Sequence, residues 1–117
     1  MTDYNVASKT VKAVKIDASS TNIPTAFSTA SASLVVTGIA RADVLTVVST
    51  CANRLAVNYT QGSVSSAPSS VDLYIPAAVT GSFAAVVLDN CQLSSTIYIK
   101  SDETSPISSG VVTISVG

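Results

Sequence analysis

With 117 residues, a net charge of −1 and only 11 % charged side chains, this chain has no electrostatic field to draw in nucleic acid or anionic lipid. It has no His, which excludes Ser–His–Asp catalysis and a His-activated cysteine, and its two Cys without a His cannot assemble an ordinary structural zinc site. Its 33 Ser plus Thr, 17 Val and 15 Ala describe one domain, apolar within and hydroxyl-rich outside, suited to lying permanently against other protein.

Residues 1–10 are polar and aperiodic and read as an arm whose order depends on a partner. No apolar run of signal-peptide length opens the chain, so synthesis and retention in a cytosol are expected. No window reaches the length of a membrane-spanning helix. A first strand is expected over Val11–Ile16, with Lys12 and Lys15 guarding a sheet edge. The Ser/Thr/Ala-rich stretch Ala18–Ser33 reads as a long loop anchored to the core by Ile23 and Phe27.

Ser33–Thr37 and Asp43–Ser49 are the next strands, joined by a connection of hairpin length. In Arg54–Thr60, Leu55, Val57 and Tyr59 fall on one face, expected to be core. Arg54, Ala56, Asn58 and Thr60 fall on the other, expected to be wet. Gln61–Ser70 is too polar to pack and reads as an exposed loop. Val71–Ile75 alternates again and is stopped by Pro76.

Phe83–Leu88 and Thr96–Ile99 are rich in β-branched and aromatic residues, with the turn-forming pair Asp89-Asn90 between them. They read as two neighbouring strands at the centre of the domain. A loop over Ser101–Gly110 and a last strand, Val111–Val116, complete the chain. The expected fold is all-β: a single antiparallel β-sandwich of about eight strands over residues 11–117, jelly-roll or Ig-like. Its expected core is Leu34, Val36, Leu45, Val47, Leu55, Val57, Leu73, Ile75, Val87, Ile97, Ile99 and Ile114.

Chemistry-bearing constellations are scarce. The carboxylates stand alone at strand ends apart from Asp102-Glu103, which reads as a solvated loop in preference to a calcium site helped by Asp89 or Asn90. Cys51 and Cys91 read as free, structural thiols. No catalytic, cofactor-binding or metal-binding residue is expected, and the chain reads as a non-enzyme.

Strand parity places Tyr74 and Tyr98 opposite the core face, as the aromatic side chains expected at a surface or interface. Tyr4, Asn5 and Phe27 complete the set of candidate interface residues. A sugar platform would require several of these aromatic rings to face outward together.

The hydroxyl-rich loops Ala18–Ser33 and Gln61–Ser70, the lack of His and Trp, and the strand Val111–Val116 running to the end resemble small structural proteins of tailed-bacteriophage virions, especially capsid decoration or cement proteins. The likeness spans the chain but is compositional, so no family residue is transferred. It implies a homo-oligomeric β-domain, often a trimer, made in the host cytoplasm and bound to a major capsid or other virion protein. A tail or fibre component is the second expectation, and a glycan-binding β-sandwich is the rival from another class. No cofactor, nucleic acid or membrane partner is expected.

Overall fold

The structure is a computed structural model that describes residues 12–29 and 31–117. The arm, with Tyr4 and Asn5, and Val11 of the expected first strand lie outside the described residues. Eight strands follow in order: β1 (Lys12–Asp17), β2 (Ser33–Val35), β3 (Arg41–Ser49), β4 (Leu55–Asn58), β5 (Leu73–Ile75), β6 (Ala84–Gln92), β7 (Thr96–Ser101) and β8 (Val111–Val116). They form two antiparallel sheets of four, ordered β1-β8-β3-β6 and β2-β7-β4-β5.

The pairs β1·β8, β2·β7, β3·β6 and β4·β5 are nested, as though one long hairpin had been rolled up. Eight strands in this order make a jelly roll. The sandwich closes on one side where the Lys12 ammonium on β1 donates to the Val35 carbonyl on β2, 3.3 Å away. Lys15 remains exposed on β1, an outer strand, as an edge guard should be, whereas Lys12 is turned to this seam.

Alternation fills the space between the sheets. Leu45, Val47, Val112, Ile114 and Val116 of the first sheet meet Leu55, Val57, Ile75, Ile97 and Ile99 of the second, all fully buried. Leu34 and Leu73, expected in the core, are half-buried and pack against it. Ile23 and Ile107 exchange backbone hydrogen bonds of 2.8 and 3.0 Å, so two apolar loop residues plug one end of the core. Removing a fully buried side chain such as Ile114 to Ala costs about 2–5 kcal/mol.

Two expectations about the stretch 83–99 are corrected. β6 and β7 are not neighbours: β6 is an edge of the first sheet and β7 is interior to the second. Apolar runs separated by turn residues look alike whether the chain turns back in one sheet or arches across to the other, and here it arches. Asp89-Asn90 is not that connection but lies within β6, where Asn90 takes the left-handed conformation (φ 59°) that asparagine tolerates.

The second correction concerns Val87, which is 60 % exposed instead of core. Ala84 to Leu88 is apolar throughout and carries no alternation to set its phase. The register sets it, pairing Val86 with Val47 and Leu88 with Leu45, both of which are buried.

Candidate interaction surface

The two outer faces of the sandwich are treated differently. On the β2-β7-β4-β5 sheet the supposedly wet face is covered by the chain's own loops, so Ala56 and Asn58 are fully buried. Phe27 lies with Ala56 and Tyr98 in a second small core, and Val71 packs against it. The Lys100 ammonium sits 5.3 Å from the centre of the Phe27 ring.

The loop after β4 closes over Tyr98. The Tyr98 hydroxyl donates to the Ser63 carbonyl at 2.6 Å, and Gly62 lies so close to the ring that an added Cβ would stand 2.6 Å from its Cδ2. Asn58 donates to the Ser70 carbonyl and accepts from the Gln61 amide, both at 3.0 Å. Asp72 accepts from the Tyr59 and Thr60 amides and from the Thr60 hydroxyl. This loop was expected to be merely exposed, but these bonds pin both of its ends.

The candidate aromatics therefore part company. Phe27 and Tyr98 are 5 % and 2 % exposed, so neither ring is presented at the surface of a single chain; Tyr98 is corrected from surface to core. Parity had placed Tyr98 off the main core, and only the covering loop buries it. Tyr74 is 49 % exposed and lies beneath the Arg54 guanidinium, 4.7 Å from the ring centre. Arg54 also bonds Asp102 through Nε at 2.7 Å, and its backbone amide donates to the Glu103 carboxylate at 3.1 Å.

The loop acids are thus partners of Arg54, and Asn90 is bonded by Arg41. Among the described residues no group of three or more His, Cys, Asp or Glu side chains is placed to hold a metal ion. Asp17 is held below the usual carboxylate range by the Ser19 hydroxyl and amide.

Cys51 and Cys91 are free and buried. Burial raises both thiols above their ordinary pKa, with Ser49 partly opposing the shift at Cys51 and Asp89 adding to it at Cys91. Cys51 lies two residues beyond the end of β3, whereas Cys91 pairs with Ala42 near its start. The length of that strand, roughly 25 Å, separates two thiols whose Cα atoms must come within about 7 Å to bridge.

Among the described residues, nothing covers the outer face of the β1-β8-β3-β6 sheet in this way. Its middle rows are Thr113 and Ser115 on β8, Val44, Thr46 and Val48 on β3, and Ala85 and Val87 on β6. Val44 and Val87 are exposed, as is Phe83 just before β6. The charges around this face lie toward its margins: Lys15 and Asp17 on β1, Asp89 on β6, and the exposed Arg41 and Asp43 at the start of β3. Sequence reasoning missed the surface because the phase of β6 was unreadable.

At one end of the sandwich a groove of about 460 Å³ is lined by Ala40, Arg41, Asn90 and Gln92. A second, of about 310 Å³, runs on from it past Gly38, Ile39, Leu93, Ser94 and Ser95. Neither lining includes an aromatic ring. Among the described residues no helix is long and apolar enough to cross a membrane.

Comparison with known proteins finds no matching family model, no similar curated protein and no matching solved structure.

Proposed function

We propose that this chain is a structural virion protein that decorates or cements a capsid as a homo-oligomer, with assembly and not catalysis as its work. The observation that carries the reading is the bare outer face of the β1-β8-β3-β6 sheet, set against the self-covered face of the other sheet. A broad surface of Val, Ala, Thr and Ser accepts a protein neighbour without the cost of burying ions. Jelly rolls recur in viral capsid domains, which supports the reading by analogy of fold alone.

A glycan-binding module is the second reading, favoured by the half-exposed Tyr74 and by the use of jelly rolls as lectins. A tail or fibre role uses the same face on a different neighbour. Co-sedimentation of the purified chain with assembled capsids tests the proposal, with tail structures and a glycan array as parallel arms. Binding to capsids is expected, and Thr46→Arg at the middle of the bare face should abolish it while the circular dichroism spectrum stays unchanged. Binding that survives Thr46→Arg, or glycan binding lost on Tyr74→Ala without capsid binding, would overturn it.

A further inference from the structure

Each sheet has two edges, and three of the four are blunted. β2 and β5 are three residues long, and Pro76 follows β5 directly. β1 carries two lysines. β6 is different: nine residues, Ala84–Gln92, with Asp89 as its one charge and with neither lysine nor proline. Long, flat, apolar edges template pairing with another chain, and proteins that remain single blunt them.

The backbone of this edge is aimed outward. Val44 and Gly117 exchange two hydrogen bonds, so Val44, Thr46 and Val48 turn their amides and carbonyls toward β8. Antiparallel strands alternate, so Leu45, Val47 and Ser49 bond to Leu88, Val86 and Ala84 of β6. Ala85, Val87 and Asp89 must therefore point their amides and carbonyls away from the sheet. All three are exposed.

We infer that β6 pairs antiparallel with β6 of a second copy about a two-fold axis through Val87, joining two four-stranded sheets into one of eight. The inference rests on the assembly reading, since an open edge of this kind is a hazard in a chain that stays single. Charge selects the register. With Val87 opposite Val87 and Ala85 opposite Asp89, the two Asp89 residues lie four positions apart along the strand, about 13 Å. That exceeds the Debye length of about 8 Å, whereas centring the axis on Asp89 would set like charges face to face. Past Asp89 the left-handed Asn90 ends the regular edge. The dimer carries the bare faces of both copies onto one continuous sheet.

Light scattering and sedimentation of the full chain should give the mass of a dimer. Val87→Pro removes an amide proton that points away from β3 and bonds nothing within the sheet, so the fold should persist while the mass falls to that of the monomer. Val87→Lys should do the same, and it decides the matter if the proline variant misfolds. Mild oxidation should link Val87→Cys to itself, because directly paired Cα atoms lie about 5.5 Å apart, within disulfide range. Ala85→Cys should cross-link only when mixed with Asp89→Cys. A monomer at every attainable concentration, or a dimer or trimer indifferent to both Val87 substitutions, overturns the inference. Capsid binding by such a monomer would leave the assembly reading standing, and a β6-linked dimer that ignores capsids and tails would do the reverse.

Discussion

At the scale of single residues, stability depends on a few sites where a side chain or its absence has no substitute. Thr96 is 1 % exposed and its hydroxyl has no hydrogen-bond partner. An unpaired buried hydroxyl is a standing cost, so Thr96→Val, which keeps the shape, should stabilise by about 1 kcal/mol, read as a higher urea midpoint. Gly110 is the opposite case. It holds φ at 109°, and an added Cβ would stand 2.9 Å from the Cys51 sulfur and 3.0 Å from its Cα. Gly110→Ala should therefore lose at least about 1–3 kcal/mol in the same measurement. The thiols give a pH signature. Their folded pKa values are raised by burial, so the folded state holds these protons more tightly than the unfolded state. That stability is complete below the unfolded thiol pKa and is lost as pH rises through the folded values. Midpoints should fall on the alkaline side of pH 9, and Cys51→Ala with Cys91→Ala should flatten that fall. Alkylation of the native protein at neutral pH should leave both thiols unlabelled, and denaturation should release two.

At the scale of elements, the loop from Ala18 to Ala32 works in place of a strand. Ile23 closes the main core and Phe27 lies over the outer face of the second sheet. Phe27→Ala should uncover Tyr98 and cost about 3 kcal/mol, at the low end for a buried ring because a loop relaxes more readily than a strand. Tyr98→Phe removes one hydrogen bond to Ser63 and should cost about 0.5–1.5 kcal/mol, with near-ultraviolet dichroism preserved. These elements also mark what was legible beforehand. Strands with polar residues between apolar ones, such as β4 and β8, show their inward face in the sequence, and β8 its extent as well, whereas β4 is Leu55–Asn58 and shorter than the expected Arg54–Thr60. The covering of Ala56 and Asn58 did not show, because alternation reports that one face is apolar and says nothing of a loop returning over the other. Only the unusual presence of Phe27 and Tyr98 off the main core, with a glycine at position 62, hinted at it. β6 was illegible in phase and partner for a related reason: five apolar residues in a row contain no period, and its partner β3 is set by the nesting of the whole chain.

At the scale of the molecule, the nested order makes one sheet self-sufficient and leaves the other to be completed from outside. The second sheet is short-edged and loop-covered, while the first presents a bare face and one open edge. This asymmetry fixes the physical character of any contact made there. Along β3 and β8 the outward rows are Val44, which is exposed, and the half-buried Thr46, Val48, Thr113 and Ser115, none of them ionisable, and the nearest charges lie at the start of β3 (Arg41 and Asp43) and toward the margins on β1 and β6. With a net charge of −1 the chain also has little field to steer a partner from a distance. Attraction through this face must come from apolar area and hydrogen bonds to hydroxyls, neither of which salt screens. Between low and molar salt the Debye length shrinks from about 30 Å to about 3 Å, which strips away the strength of an ionic interface. Binding of this chain to assembled capsids should change less than about threefold over that range, and sulfate should strengthen it by favouring burial of apolar surface. Co-sedimentation across a salt series measures this directly. A loss of a hundredfold or more would mean that the contact runs through charged residues such as Lys15, Arg41 or Arg54 and not through the uncharged rows of the bare face.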